Sequence, residues 1–228
     1  MRDVVSDFSF WWEDARLLYS APLRWNGRQV SQAFAAVIVV LFAMLVDSIV
    51  RAAFAYLHAS IADTVFGWGH WYGTGKATLY LFLLLYIGGL VLRQMHARIL
   101  GMLVAESYVF SGILTTGIKS LLGRWRPYAG HGSLSFVPFT TGPNDHLSLP
   151  SGDATVAFAL SAVMAGMIEN RLWKIAWYGI AVVTALSRIY HDQHWLSDVL
   201  LSTIIGTTVG VWLVNKHLVP LRAEPEDV

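Results

Sequence analysis

The chain has no cysteine and few charged residues. Of its 228 residues, 14% are Asp, Glu, Lys or Arg and 55% are hydrophobic, whereas a soluble domain carries about 25% charge. The absence of cysteine excludes disulfides and thiolate metal sites, although it does not identify the compartment. The small charged fraction together with the large hydrophobic one predicts an integral membrane protein.

The sequence also lacks an excess of charge of either sign. A formal net charge of +1 provides no field that would favour nucleic acid as a partner. The first thirty residues do not show the basic start and short apolar core of a cleavable signal peptide, so none is expected. Tryptophan and tyrosine, by contrast, are abundant at 10 and 9 residues, which is typical of chains that place amphipathic rings at membrane interfaces.

Six apolar segments approach the roughly 20 residues that a membrane-spanning helix needs. The first could extend past Arg51 to Tyr56, and the fourth and fifth are short enough to need flanking residues. We therefore predict an all-α integral membrane protein, a helical bundle of six transmembrane helices. The segments lie at about 33–49, 77–92, 99–118, 154–168, 175–186 and 199–214.

Two parts flank these segments. We predict that residues 1–30 form a cytoplasmic or interfacial N-terminal segment, that 31–217 form the membrane domain, and that 218–228 form a cytoplasmic C-terminal tail. Between Phe8 and Trp25, aromatic residues are interspersed with acidic and basic ones. This pattern fits equally an interfacial helix and a segment packed against its own bundle.

Basic residues near the ends of the six segments predict the orientation. With six spans, most of these residues fall on one side, which the positive-inside rule makes cytoplasmic. The loops after the first, third and fifth helices then face outward. Basic residues on the outward side break this rule, which predicts a role for them, with ordinary lipid head-group contacts as the alternative. They are Lys119, Arg124, Arg126 and Arg188.

Three polar clusters lie in or beside the last two outward loops. Lys119 and Arg126 are seven residues apart, so a helix that Pro127 then ends would place them on one face. Ammonium and guanidinium groups both suit phosphate oxygens. The clusters are KSLLGRWRP at 119–127, PSGD at 150–153 and SRIYHDQHWLSD at 187–198.

The second and third clusters combine a helix start with a histidine–carboxylate pair. Ser151 is a candidate N-cap, Gly152 allows a ligand to approach the backbone, and free N–H groups at a helix start bind anions. His194 and Asp198 are four apart and would share a helix face. Asp198 could then orient the His194 ring and stabilise its imidazolium form while His194 attacks phosphorus.

These clusters resemble the signature of the type 2 phosphatidic acid phosphatase superfamily, which reads KxxxxxxRP, PSGH and SRxxxxxHxxxD. The first and third blocks match at every defined position, and Asp153 replaces the histidine of the second. The resemblance covers about residues 99–214 and implies a membrane lipid phosphatase that works without a metal or cofactor. It implies that His194 is the nucleophile, that Asp198 orients it, and that phosphate is held by Lys119, Arg126, Ser151, Gly152 and Arg188.

Asp153 stands where the family's histidine protonates the leaving group. An aspartate can act as this acid only when it is protonated, and three nearby cations would oppose that. Alternatively, His131, His146 or His191 supplies the proton, or the leaving group needs little acid help. A protein that binds phospholipid without hydrolysing it is the remaining alternative.

A leaving group that needs no acid favours a diphosphate, because a phosphate monoester departs more readily than an alkoxide. We therefore predict hydrolysis of a polyprenyl diphosphate such as undecaprenyl diphosphate at the outer face of a bacterial inner membrane. The alternatives within the family are a phosphatidylglycerophosphate, phosphatidate or lipid A phosphatase, or a phosphotransferase. The alternative outside the enzymes is a phospholipid-binding or transport protein.

A second chemical interpretation of the third cluster is a metal site. His191, Asp192, His194 and Asp198 have a spacing that zinc ligands can adopt. The neighbouring Arg188 suits a phosphate better than a cation, so we predict no metal.

Ionisable residues also occur within or near the apolar segments, at Asp47, Arg51 and Glu106. Such residues are functional candidates in a membrane protein. Asp47 and Arg51 are four apart, so the simplest prediction is that they pair with each other. The sequence does not identify a partner for Glu106.

Overall fold

The computed structural model describes residues 10–57 and 60–223, the last six as backbone only. All six predicted segments are helical and the described residues contain no strand, so the prediction of an all-α fold is confirmed. Two compact units comprise Met1–Val39 and Val40–Val228. The helices are α1 (Trp11–Tyr19), α2 (Gly27–Ala55), α3 (Ser60–Tyr72), α4 (Gly75–Val91), α5 (Met95–Leu122), α6 (Gly152–Gly166), α7 (Arg171–Tyr190) and α8 (Leu196–Ala223).

The first unit contains α1, a 3-10 turn over Ala21–Arg24 and the start of α2. α2 begins with a reciprocal capping box, in which the Gln29 backbone N–H donates to Asn26 Oδ1 and the Asn26 N–H donates to Gln29 Oε1. Trp12 on α1 is 81% exposed. The aromatic N-terminal segment is therefore helical over 11–19, while Phe8 lies outside the described residues.

The second unit is built around α6. Every residue from Ala154 to Ala165 is buried, because α6 packs against α5, α7 and α8. A helix that is apolar on all sides belongs in the interior of a bundle. This explains why the fourth predicted segment is short: protein rather than lipid surrounds it.

Length and composition alone allow α2, α5 and α8 to cross a membrane. The pair α3–α4, bent by 58° at a short break, can form a fourth crossing if it acts as one broken span. On the part of α2 after Val40, Leu41, Phe42 and Leu45 are all more than half exposed. Large apolar side chains exposed in this way are expected where a helix meets lipid.

Helix α3 is not among the predicted segments. It has 13 residues and includes Asp63, His70 and two glycines, so it is too short and too polar to resemble a span. It packs on α7, where the Thr184 hydroxyl donates to the Gly69 carbonyl at 2.6 Å. A Cβ on Gly69 would lie 2.7 Å from Val183, so this close approach requires glycine.

Two glycines spaced four apart allow α8 to pack tightly on α6. A Cβ on Gly206 would lie 2.2 Å from the Thr155 carbonyl oxygen, and one on Gly210 would lie 2.4 Å from the Ala159 carbonyl oxygen. This is the small-residue spacing that brings membrane helices into backbone contact.

We expect Gly206→Ala to destabilise the protein by roughly 1–3 kcal/mol through overpacking. Gly179→Ala on α7 is the matched control, because a Cβ there meets nothing within 4 Å and alanine favours a helix over glycine by up to about 1 kcal/mol. Thermal unfolding in detergent should show a lower Tm only for the first variant. Equal Tm values for the two variants would contradict this packing.

Candidate active site

Lys119 and Arg126 come from different local structures. α5 ends at Leu122, and Gly123 caps it in the left-handed region at φ 60°. A Cβ there would lie 1.8 Å from the Val137 carbonyl oxygen, so only glycine fits. Arg126 lies beyond the helix in extended backbone. The prediction that one helix ending at Pro127 carries both cations is therefore wrong, although both act electrostatically on His194.

Main-chain and amide oxygens hold the two cations in place. The Lys119 ammonium donates to the carbonyls of Leu147 and Ser148. Arg126 donates from Nε and Nη2 to the backbone and side-chain oxygens of Asn144, both at 2.9 Å, and from Nη1 to Gln193 Oε1 at 2.9 Å. Burial lowers the pKa of Arg126, but a guanidinium remains charged at neutral pH.

Ser151 is the N-cap residue of α6, as predicted, but its side chain makes no cap hydrogen bond. Its hydroxyl oxygen is buried without a hydrogen-bond partner. At Gly152, a Cβ would meet nothing within 4 Å, so open space adjoins the first turn of the helix. An unpartnered hydroxyl beside free N–H groups at a helix start is suited to an anionic ligand.

His194 lies in the loop before α8 and is 3% exposed. Its Nδ1 is 3.6 Å from Asp198 Oδ2, which is beyond hydrogen-bond distance, and Nδ1 has no partner. Because α8 begins at Leu196, the ring approaches Asp198 across the helix start rather than along one helix face. The pair predicted from the sequence is thus adjacent, by a route different from the one expected.

Burial is the main reason that the pKa of His194 falls from 6.5 to about 3. The positive charges of Lys119 and Arg126 lower it further, and together these effects exceed the stabilisation that Asp198 offers to an imidazolium. His194 is therefore neutral at physiological pH. A neutral imidazole has the free lone pair that a nucleophile needs.

Arg188 and Asp153 meet on neighbouring turns of α7 and α6. Arg188 Nε is 3.3 Å from Asp153 Oδ2, yet this N–H makes no hydrogen bond. Arg188 also repels Lys119 and Arg126 electrostatically, which places all three predicted phosphate-binding cations in one region. The structure thus brings together all the residues that the resemblance assigned to the site.

His70 on α3 also lies in this cluster, although no motif in the sequence predicts it. Its Nδ1 lies 2.6 Å from Arg188 Nη1 and 3.4 Å from Asp153 Oδ2. Two histidines suggested as replacements for the missing family histidine, His131 and His146, pack on the Trp125 ring instead. A histidine beside two tryptophans in GWGHWYG was the available signal, but sequence alone cannot show that it faces Asp153.

His191, the third suggested replacement, lies at the end of α7. Its Nδ1 is 2.7 Å from the Ser187 carbonyl oxygen. Its ring centroid is 6.4 Å from that of His70. His191 thus borders the cluster, but its Nδ1 contacts the backbone of its own helix.

Arg124 is the second residue whose place the sequence did not reveal. It is fully buried between two fully buried carboxylates, at 2.7 Å from Asp47 Oδ2 and 2.6 Å from Asp198 Oδ1. Ser197 joins this network by donating its backbone N–H and its hydroxyl to Asp47. The Ser148 hydroxyl and the Trp195 N–H donate to the other oxygen of Asp198. Asp198 is thereby held from both sides while it faces His194.

The prediction that Asp47 and Arg51 pair with each other is wrong. Arg51 instead makes a two-pronged ion pair with Asp192, both contacts at 2.6 Å. Asp47 turns inward because Arg124 offers it a buried cation. Glu106, the third ionisable residue of the apolar segments, is buried within α5.

A cavity of about 520 Å³ adjoins the site without containing it. Arg51, Asp192 and Trp195 line it together with Gly130 and Phe54. None of the eight residues that the resemblance assigned to the site lines this cavity.

The fold and these clustered residues define a class of membrane protein. A model of the PAP2 superfamily matches residues 100–219, which is more than half of the 228-residue chain. The chain therefore belongs to the PAP2 superfamily, as the sequence signature indicated, and it is a multi-pass membrane protein.

Two curated relatives carry the name lipid A 1-phosphatase. The protein of Rhizobium johnstonii is 30% identical over 122 residues, covering 53% of this chain and 47% of the relative. The protein of Rhizobium etli is also 30% identical over 122 residues, covering 53% and 50%. The chain thus spans about half the length of the curated relatives it matches.

Two solved structures share the fold. A PAP2-type phosphatidylglycerolphosphate phosphatase from Bacillus subtilis aligns with a TM-score of 0.62 over 99% of this chain and 100% of that one. LpxE from Aquifex aeolicus aligns with a TM-score of 0.57 over 75% of this chain and 95% of that one. Both are 20% identical to this chain, so they establish the architecture rather than the substrate.

The buried pairing of Arg124 predicts an unequal effect of two identical substitutions. Asp47→Asn leaves a buried guanidinium short of one negative charge, and breaking such a pair costs roughly 3–5 kcal/mol. Asp192→Asn removes a pair whose side chains are 39% and 37% exposed, which contributes roughly 0–1 kcal/mol. Asparagine also tolerates the left-handed backbone of Asp192. Thermal unfolding should therefore show a much lower Tm for Asp47→Asn than for Asp192→Asn. Similar decreases in Tm for the two variants would contradict the stabilising role of the Arg124 network.

The low pKa of His194 predicts how stability depends on pH. Between pH 6.5 and about 3 the folded protein keeps His194 neutral, whereas the unfolded chain protonates it. Protons therefore favour unfolding, and this group alone removes up to roughly 1.4 kcal/mol for each unit that the pH falls within that window. Tm measured from pH 7 to pH 4 should fall less steeply for His194→Gln than for the wild type. Parallel curves would mean that His194 titrates normally in the folded state.

Proposed function

We propose that this protein is a lipid phosphate phosphatase in which His194 forms a phosphohistidine. The observation that carries the proposal is a set of unsatisfied buried groups around a neutral histidine. Ser151 Oγ and Arg188 Nε lack hydrogen-bond partners, and Lys119 and Arg126 add positive charge close to His194. Unpartnered buried donors are costly, and a phosphoryl group with three outer oxygens would satisfy them.

The first half of the reaction follows from these positions. Nε2 of His194 attacks phosphorus as the bond from phosphorus to the lipid oxygen breaks. The negative charge spreads over the outer phosphoryl oxygens, where fixed cations stabilise it. Asp198 is held by Arg124 and Ser148, so it stabilises the positive charge that develops on the His194 ring.

The second half returns the enzyme to its starting state. A water molecule attacks the phosphohistidine, the nitrogen–phosphorus bond breaks, and inorganic phosphate leaves. No step needs a metal ion in this scheme. Both oxygens of Asp192 are bound by Arg51, and both oxygens of Asp198 accept hydrogen bonds, so the two carboxylates among the suggested zinc ligands are already engaged.

The relatives favour a lipid A type of substrate over a polyprenyl diphosphate. Two curated relatives are named lipid A 1-phosphatase, and each matches 53% of this chain. We therefore place the lipid A phosphatase alternative ahead of undecaprenyl diphosphate hydrolysis. The active site would face the outer side of a bacterial inner membrane, because the loops that carry the clusters oppose the basic ends.

Purified protein should release phosphate from lipid A in detergent, and more slowly from phosphatidylglycerophosphate, phosphatidate and undecaprenyl diphosphate. Release should survive EDTA, be inhibited by vanadate, and fall at least a thousandfold in His194→Ala, since removing a nucleophile removes the covalent route. His96→Ala is the control, because His96 is exposed at the start of α5. Undecaprenyl diphosphate as the fastest substrate would reverse the order proposed here, and no release from any lipid would refute the enzymatic proposal.

A further inference from the structure

His70 lies where the family signature lacks its histidine. It belongs to the last turn of α3, and its Nδ1 is 3.4 Å from Asp153 Oδ2. The block PSGD thus carries an anion where the signature has a histidine, and a histidine from a distant part of the chain contacts that anion. Both side chains are partly exposed, at 44% and 31%, so they border an accessible space rather than the closed core.

Asp153 itself is unsuited to donate a proton. Arg188 and His70 lie within 3.5 Å of its Oδ2, and opposite charge at that distance favours the ionised carboxylate. An ionised carboxylate can only accept hydrogen bonds. Asp153 can, however, orient a histidine ring and stabilise it in the protonated form.

We propose that His70 is the general acid that protonates the lipid leaving group, and that Asp153 is the residue that positions it. This inference rests on the proposed phosphatase function and deepens it. The site then contains two histidine–carboxylate pairs. In one, Asp198 serves the nucleophile His194, and in the other, Asp153 serves the acid His70.

The contact with Arg188 shows how the acid becomes available. Arg188 Nη1 is 2.6 Å from His70 Nδ1, and because a guanidinium only donates, Nδ1 accepts and the ring carries its proton on Nε2. A bound phosphoryl group competes for Arg188. Nδ1 is then free to take a proton and donate to Asp153, which leaves Nε2–H to face the leaving group.

The proton balance closes over one cycle. As His194 Nε2 bonds to phosphorus and the lipid oxygen departs, that oxygen takes the proton from His70 Nε2, and His70 becomes neutral. The neutral ring then accepts a proton from the water that attacks the phosphohistidine. Inorganic phosphate leaves, His194 is free, and His70 is again protonated.

The test is the dependence of the rate on the leaving group. Wild type, His70→Gln and Asp153→Asn are each assayed with a lipid phosphate and with 4-nitrophenyl phosphate, whose phenolate leaves without acid help. We expect His70→Gln to lose about 10²–10⁴-fold on the lipid phosphate and less than about tenfold on 4-nitrophenyl phosphate. Asp153→Asn should also lower the rate on the lipid phosphate relative to the rate on 4-nitrophenyl phosphate, by a smaller factor. The ratio of the two rates cancels any loss of folded protein.

The controls separate this proposal from the proposed function. If the wild type hydrolyses neither substrate, both the proposed phosphatase function and the acid role of His70 are overturned. If the wild type hydrolyses both and His70→Gln slows them equally or not at all, only the acid role is overturned. The acid role of His70 would also be overturned if His191→Gln lost activity on the lipid phosphate alone while His70→Gln behaved as wild type. That result would assign the proton to His191. His96→Gln, at the start of α5, should leave the ratio unchanged.

Discussion

The buried guanidinium of Arg124 is the contact on which the geometry of the site depends. It joins the end of α5, the middle of α2 and the first turn of α8 through Asp47 and Asp198. All three side chains are fully buried, where an unpaired charge would be very unfavourable. The carboxylate that faces His194 is therefore fixed by the same ions that fasten three helices together, so its position is inseparable from the fold.

A neutral histidine among cations is the chemical result of this arrangement. His194 is buried next to positive charge, so it stays unprotonated over the physiological range. The cations that keep it neutral, Lys119 and Arg126, are also two of the three proposed phosphate-binding residues. In the proposed reaction, burial and positive charge thus prepare the histidine to attack, and the positive charge also attracts the phosphoryl group.

The sequence predicted the architecture and most of the site because both depend on local patterns. Apolar length identified six helices, and the three clusters identified eight residues that the fold brings together. The sequence could not predict α3, whose 13 residues and polar content do not resemble a span. It could not assign Arg124 or His70 either, since their partners Asp47, Asp198 and Asp153 are far away in sequence and only the tertiary fold brings them together. The expectation of one continuous helix from Lys119 to Arg126 failed because Gly123 adopts a left-handed conformation that no periodicity reveals.

The three cations proposed to bind phosphate come from three separate parts of the fold, the last turn of α5, the loop after it and the end of α7. Lys119, Arg126 and Arg188 repel one another. An anion that enters relieves this repulsion and at the same time bridges the elements that carry the charges. Occupancy should therefore tighten this end of the bundle, since a ligand that binds only the folded state adds to its stability.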